Sequence, residues 1–173
     1  DQSCSFSSLS ARVQFYLNSI SEEDICSILS ASLEELSFCN MKTKYRIKVS
    51  CSSRSVSVFY SKIRVSTKDY LSYILRYLKL EKSTLILTFV LLDKANRMRP
   101  CIRYETIKRL LIGACMCAIK YNQDSIFTDK AYSLIFGVNL KALNVLEVSF
   151  LELIEYSAYI SLEEWAIYLE YIY

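Results

Sequence analysis

The chain has 173 residues, of which 53% are hydrophobic and 23% are charged, and its formal net charge is +3. It contains two glycines, one proline and no histidine, so it lacks the turn-forming residues that a β-sandwich or barrel needs. Phosphate-binding loops need several glycines in one turn, and Ser-His or Cys-His catalysis needs a histidine. The composition therefore favours a single all-α domain and argues against most familiar enzyme chemistry.

The cysteines bear on the compartment and on metal binding. There are seven of them, with no C-x-x-C pair and with no secretory signal before them. We therefore expect reduced thiols in an intracellular protein of the nucleus or cytoplasm. Neither a metal nor another cofactor is expected. The longest uncharged apolar stretch, 110–119, is far shorter than the roughly 18 residues of a membrane span, so no membrane partner is expected.

Residues 1–65 are expected to form an N-terminal extension with one helix. Residues 1–20 are rich in serine, and their apolar residues have no regular spacing. Ser21 precedes three acidic residues, which is typical of a helix start, and the apolar pattern that follows predicts a helix over about 22–40.

A basic loop is predicted over 41–65. Eight Lys or Arg residues accumulate between positions 42 and 68 without an acidic residue, while the helical periodicity fades, so we interpret the segment as a mobile loop. Contact with nucleic acid or with a phosphorylated partner is its functional interpretation. A solvated linker is the alternative, and we favour it.

About five helices are predicted from residue 66 to residue 157. Thr67 and Ser83 are predicted to begin the first two, and Pro100 ends the second because proline lacks an N–H. The segment 104–121 carries charges at its ends and an apolar middle on every side. It is therefore predicted to be a buried central helix, and its small residues, Gly113 among them, allow neighbouring helices to approach closely.

Three further helices have clear start and stop signals. Thr128 is predicted to cap a short helix that Gly137 ends in the left-handed conformation, and Asn139 begins the next helix. Ser161 and Glu164 have the spacing of a capping box for the last helix, which lies in the flanking segment 158–173.

Five short segments in this order resemble the cyclin box. They are STKDYLSYI at 66–74, VLLD at 90–93, RLL at 109–111, AIKY at 118–121 and NVLEVSFL at 144–151. The ordered set is most similar to the phosphate-pathway cyclins of the P and U types, and it covers about 60–157. The resemblance implies one cyclin box at 66–157, in which about five helices surround the central helix, with a helix before it and a flanking helix after it.

The resemblance also implies a function without catalytic chemistry. Cyclins are regulatory subunits that bind and activate a cyclin-dependent protein kinase, so no small-molecule substrate is expected. By motif position, Lys120 and Glu147 would hydrogen-bond the kinase backbone beside its αC helix. The apolar residues implied to support them are Cys117, Tyr121, Leu151 and Tyr156.

Two segments depart from the family pattern, and the second bears on substrate recognition. Many cyclins carry an acidic pair soon after the Lys-aromatic pair, whereas 122–124 here reads Asn-Gln-Asp. The M-R-x-I-L type of substrate-docking segment is replaced by Tyr-Leu-Ser-Tyr-Ile at 70–74, so recognition of substrate docking motifs is not expected.

Two other classes of function remain as alternatives. A nucleic-acid-associated protein with the cyclin fold, like the general transcription factor IIB family, would use the basic loop on phosphates. A net charge of +3 is slight for that purpose, so nucleic acid is not the expected partner. An enzyme is the weakest interpretation, because histidine and a glycine-rich loop are absent.

Overall fold

Eight α-helices and no strand occur in the residues that the computed structural model describes, which are 2–44, 57–61, 66–124 and 127–173. The prediction of an all-α fold is confirmed. The helices are α1 (Gln2–Ser19), α2 (Glu22–Lys44), α3 (Thr67–Leu78), α4 (Lys82–Met98), α5 (Ile107–Asn122), α6 (Asp129–Phe136), α7 (Leu140–Leu153) and α8 (Leu162–Ile172).

Helix α5 forms the centre of the molecule, as its composition predicts. Every residue over 110–119 is buried, and α4 and α7 pack most extensively against this helix. A Cβ atom on Gly113 would lie 2.8 Å from the Cβ of Phe150, so the small residue allows α5 and α7 to approach closely. Helix α4 is almost as enclosed, because 84–92 are all buried.

Of the six residues predicted to begin helices, four agree with the structure and two differ, and the central helix begins at Ile107 instead of 104. Ser66, not Thr67, is the N-cap of α3, because its side chain accepts a hydrogen bond from the N–H of Asp69 while Thr67 is buried as the first helical residue. Helix α4 begins at Lys82 with Glu81 as N-cap, so Ser83 lies inside the first turn. The predicted caps with confirmed hydrogen bonds are Ser21, Thr128, Asn139 and Ser161.

The corner between α6 and α7 is formed by Gly137, whose φ of +66° is accessible to glycine without steric cost. The corner turns the chain so that α7 returns across α5. No single helix in the described part of the chain is long and apolar enough to cross a membrane. The pair α6 and α7 reaches that length and hydropathy together, but the chain bends by 94° between them.

The N-terminal extension contains two helices instead of one: α2 matches the helix predicted over about 22–40, and α1 was not predicted. Helix α1 packs against the C-terminal helix α8, where Val13 and Ile20 are buried and the rings of Tyr16 and Tyr173 lie 5.0 Å apart. These contacts join the two ends of the described chain. The apolar residues of 1–20 are irregularly spaced, so the sequence alone does not predict α1. The helix is stabilised by packing against α8, about 150 residues away in the chain.

The predicted basic loop lies mostly outside the described residues, at 45–56 and 62–65. Two parts of it are described: 41–44, which form the end of α2, and 57–61, which pack against the start of α5. Phe59 is fully buried, and Arg109 donates a hydrogen bond of 2.9 Å to the carbonyl of Val58. The loop prediction is therefore wrong for 41–44, which are helical, and 57–61 pack against the core.

Candidate functional site

Lys120 and Glu147 form an ion pair where the end of α5 meets the middle of α7. The Lys120 Nζ lies 2.8 Å from one carboxylate oxygen of Glu147 and 2.9 Å from the other. Both positions follow from the packing of their helices. Lys120 is the first exposed residue after the buried run of α5, and Glu147 follows Leu146, which fills the core side of α7. The tertiary structure thus brings together two residues that are 27 positions apart.

A third charged residue, Asp129, joins the pair from the first turn of α6. Its carboxylate lies 3.5 Å from the Lys120 Nζ, and α6 places it there because Thr128 caps the helix immediately before it. The sequence analysis did not identify Asp129 as a site residue. The available signal was its position at a capped helix start soon after the end of α5.

The electrostatic balance at this site keeps Lys120 charged. Partial burial acts to lower the pKa of Lys120, but the hydrogen bond and the charge of Glu147, together with Asp129, raise that pKa above its usual value. The Lys120 side chain is 37% exposed and the Glu147 side chain is 15% exposed. The pair is therefore accessible to a partner while it is already partly shielded from water.

The four supporting residues differ in accessibility. Cys117 is only 8% exposed, and burial, followed by the charge of Glu147, raises the pKa of its thiol to about 12. It therefore packs beneath the ion pair and offers little contact surface. Tyr121 is exposed directly after Lys120, and Leu151 is half-buried one turn after Glu147.

Tyr156 is positioned by an unusual turn at the end of α7. Glu155 and Tyr156 both have positive φ, at 53° and 56°, a conformation that non-glycine residues rarely adopt. The N–H of Tyr156 donates a 2.8 Å hydrogen bond to the carbonyl of Leu151, which stabilises the turn. The aromatic ring is left exposed beyond the end of α7.

The outer face of α7 adds apolar surface that the sequence analysis did not assign to the site. Leu143, Leu146 and Phe150 point into the core, so the opposite side of the helix faces solvent. The exposed apolar residues on that side are Leu140, Val145 and Val148. This surface adjoins Glu147 and Leu151 on the same helix, and the helical period alone could have revealed it.

The residue Asn122, which departs from the family's acidic pair, has an internal role. Its amide donates hydrogen bonds to the hydroxyl of Ser83 at 3.0 Å and of Thr84 at 2.9 Å, so it joins the end of α5 to the start of α4. Within the described ranges, no three His, Cys, Asp or Glu side chains are grouped closely enough to hold a metal ion. The chemistry offered by this surface is charge-assisted hydrogen bonding beside apolar contact.

Comparison with known proteins places these residues in a family context. The family model for Cyclin matches residues 23–158, a range that includes all six predicted site residues. Cyclin-U4-1 of Arabidopsis thaliana is 29% identical over 131 residues, which cover 73% of this chain and 63% of that protein.

Two further relatives show the same relationship. Cyclin-P4-1 of Oryza sativa subsp. japonica is 28% identical over 131 residues, with 73% of this chain and 62% of that protein covered. The PHO85 cyclin-like protein psl1 of Schizosaccharomyces pombe is 29% identical over 107 residues, with 60% and 44% covered. The chain thus spans less than two thirds of the length of these curated relatives.

Proposed function

The chain belongs to the cyclin family, with cyclins of the U and P types among its relatives, and we propose that it binds and activates a cyclin-dependent protein kinase through the surface around Lys120 and Glu147. The observation that carries this proposal is the partly exposed ion pair of these residues at the junction of α5 and α7. The S. pombe relative, described as PHO85 cyclin-like, supports a kinase-regulating role.

The ion pair has hydrogen-bonding capacity left for a partner. A carboxylate has about four acceptor sites, and Lys120 is the one ion-pair partner of Glu147 in the described residues, so Glu147 can accept from kinase N–H groups. The three N–H donors of Lys120 face both Glu147 oxygens and Asp129, so Lys120 would donate to a kinase backbone carbonyl by giving up its longest contact, the one of 3.5 Å with Asp129. A docked partner would also exclude water from these charge-assisted bonds and strengthen them.

The apolar residues beside the pair would supply contact area. Leu151 lies one turn after Glu147 on the same side of α7, Val148 is exposed next to that side, and Tyr156 extends the surface beyond the end of the helix. Aromatic and aliphatic side chains around a desolvated charge pair are typical of an interface hot spot. Binding energy gained here would favour the kinase conformation in which the αC glutamate pairs with the β3 lysine and ATP is aligned.

The first test removes both charges. We expect Lys120→Ala combined with Glu147→Ala to weaken binding to a candidate cyclin-dependent kinase by at least about tenfold, because truncating interfacial charge pairs costs about 2–5 kcal/mol. Activation, measured as phosphotransfer to a generic substrate, should fall in parallel. The matched control is Arg12→Ala with Glu170→Ala, which removes a different exposed ion pair, between α1 and α8, and should leave kinase binding unchanged.

Exchanging the charges of Lys120 and Glu147 tests whether the two residues bind the kinase or only stabilise each other. The variant Lys120→Glu with Glu147→Lys retains an ion pair within the chain but presents reversed charges to the kinase, and Asp129→Asn removes the repulsion that the new glutamate would meet. We expect the parent's thermal midpoint but no kinase binding. Parent-like binding by this variant would show that the two residues only stabilise each other, and the site assignment would be withdrawn.

Nucleic acid binding is the competing outcome of the same experiments. It depends on the basic loop, most of which lies outside the described residues, so no structural observation favours it. A gel shift with steep salt dependence and no kinase binding would support it instead. From the proposed kinase partner we further propose that the protein acts in the nucleus or cytoplasm, which imaging of a tagged chain would test.

A further inference from the structure

Helices α2, α4 and α8 enclose a groove of about 430 Å³. It is separate from the residues around Lys120, since none of its described lining residues comes from α5 or α7. Helix α4 forms the floor, and α2 and α8 form the two walls. Helix α2 packs against α4, and the α8 wall is joined to α4 by the hydrogen bond from Tyr168 to Asp93.

The interior of the groove is apolar. Its buried lining includes Leu29 and Leu33 from α2, Ile86 and Phe89 from α4, and Ile172 from α8. Along the α8 wall, Ile167 and Tyr171 are 65% and 70% exposed, one helical turn apart. Apolar side chains of this size, exposed next to an apolar groove, are typical of a protein interaction site.

The polar side chains inside the groove already have hydrogen-bond partners within the chain. Tyr168 donates a hydrogen bond to the carboxylate of Asp93, and Arg97 forms an ion pair of 2.6 Å with the same carboxylate. Arg97 also donates to the Tyr168 hydroxyl at 3.0 Å. The charges of Asp93 and Arg97 cancel, so this network adds little net charge to the groove.

The edges of the groove are acidic. Glu35 lines the α2 wall, and Glu163 and Glu164 lie one turn before Ile167 and Tyr168 on α8. No Lys or Arg in the described ranges forms an ion pair with any of these three carboxylates. The Glu164 carboxylate also caps α8, because it accepts a hydrogen bond from the N–H of Ser161, and its charge acts on Arg97, so Glu35 and Glu163 are the more available charges. The one basic side chain described on α2, Lys42, lies over the ring of Phe38, so the edges remain negative overall.

We propose that this groove binds a basic amphipathic helix of a partner protein. Such a helix would place apolar side chains, spaced one turn apart, on the groove floor and against Ile167 and Tyr171. Its lysines or arginines would lie beside Glu35, Glu163 and Glu164. Helices laid into apolar grooves bind through such periodic anchors, and complementary charge sets their specificity. The proposal does not depend on kinase binding, because the two surfaces share no residue.

The test uses a labelled 14-residue peptide with leucines at positions i, i+3, i+4 and i+7 and lysines beside them. Fluorescence anisotropy with the full chain should show saturable binding. A peptide with glutamate in place of every lysine should bind at least about tenfold more weakly, because its charges oppose the groove edges. A peptide of the same composition with shuffled leucines should also bind weakly, because its apolar side chains do not share a face.

Groove variants locate the binding site. We expect Ile167→Ser with Tyr171→Ser to weaken binding of the lysine peptide at least about tenfold, and Glu35→Gln with Glu163→Gln to reduce its salt dependence. The matched control, Leu134→Ser with Tyr104→Ser, removes one aliphatic and one aromatic side chain exposed elsewhere and should bind like the parent. The Lys120→Ala and Glu147→Ala variant should also bind like the parent, so failure of the kinase proposal would be distinguishable.

Three outcomes would overturn the proposal. One is parent-like peptide binding by the Ile167 and Tyr171 variant, and another is equal binding of the lysine and glutamate peptides. The third is occupation by a second copy of the chain. In that case sedimentation velocity would show a dimer for the parent and a monomer for the Ile167 and Tyr171 variant.

Discussion

At Gly113, the absence of a side chain sets the distance between α5 and α7. A Cβ atom there would lie 2.8 Å from the Cβ of Phe150 and 3.0 Å from the carbonyl oxygen of Leu146. Neither atom can move away by a change of rotamer, since one is backbone and the other is attached directly to it. The contact lies between α5 and α7, the two helices that carry Lys120 and Glu147.

We therefore expect Gly113→Ala to destabilise the protein. The higher helix propensity of alanine would add about 1 kcal/mol of stability, but overpacking a helix interface costs about 1–3 kcal/mol, so the net effect should be a loss. Urea denaturation followed by circular dichroism measures it. Replacing Phe150 by leucine in the same chain should not restore stability, because leucine retains the Cβ. A more stable Gly113→Ala variant would contradict the close approach of the two helices.

The residues of the candidate site differ in how well the sequence identified them. Motif position alone identified Lys120 and Glu147, and the structure places them in contact. The same argument named Cys117, which the structure buries beneath them, and it did not identify Asp129. Burial and the position of a third charged group depend on how α5, α6 and α7 pack, so a motif in one helix cannot reveal them.

At the scale of helices, α1 depends on contacts from elsewhere in the chain. Lys82, at the start of α4, donates hydrogen bonds from its Nζ to the carbonyls of Ile20 at 2.7 Å and Leu17 at 3.3 Å. These carbonyls are at the end of α1, where no helical N–H is available to them. A cation at a helix C-terminus also complements the helix dipole. One side chain therefore joins α1 to the rest of the molecule.

We expect Lys82→Met to loosen α1 without unfolding the central helices. The loss of a charged donor to two carbonyls should cost about 1–3 kcal/mol. Hydrogen exchange measured by mass spectrometry should show faster exchange in α1 and in its partner α8, with unchanged protection of α5. The control is Lys141→Met, which replaces an exposed lysine on α7. Equal exchange in the parent and Lys82→Met proteins would show that packing of α1 on α8 is sufficient.

Helix starts were predictable where a local hydrogen bond defines them. Thr128, Asn139 and Ser161 each accept a hydrogen bond from an N–H three residues later, so the pattern of side chains is enough. The predicted start of α4 was wrong because its N-cap residue, Glu81, accepts no hydrogen bond from a backbone N–H through its side chain. There the buried Leu80 and the left-handed Lys79, with φ of 48°, determine the turn through packing.

At the scale of the whole molecule, burial of thiols couples stability to pH. Burial raises the pKa of Cys26 to about 11 and the pKa values of Cys101, Cys115 and Cys117 to about 12. An unfolded thiol ionises near pH 8.5. The folded state thus binds protons that the unfolded state releases, so this stability is present below about pH 8.5 and is lost as pH rises towards 11–12.

We expect the free energy of unfolding to decrease above about pH 8.5, by about 1.4 kcal/mol per pH unit for each buried thiol. Urea denaturation under reducing conditions at pH 7.5, 8.5 and 9.5 would measure it. In Cys115→Ala the free energy of unfolding should fall less steeply with pH, by the contribution of one thiol. The cavity left by the substitution should lower stability equally at every pH. An unchanged slope in this variant would show that other groups control the alkaline transition.

The sequence alone determined the all-α class, the buried central helix and the five helices of the cyclin box. Scarce glycine and proline limit the turns, and apolar residues on every side of α5 require protein around it. Both are local properties, so composition and periodicity are sufficient to reveal them. The ordered motifs over 66–151 also led to the family that the comparisons confirm.

Only the tertiary structure decided the features that join distant parts of the chain. They include the docking of α1 on α8, the contact of Lys120 with both Glu147 and Asp129, and the apolar groove between α2 and α8. One of the two glycines also matters at this level, because Gly113 permits the close packing of α5 and α7, the helices that carry the ion pair. Each feature depends on the distance between helices, and that distance is set by side-chain packing across the core, which no local pattern specifies.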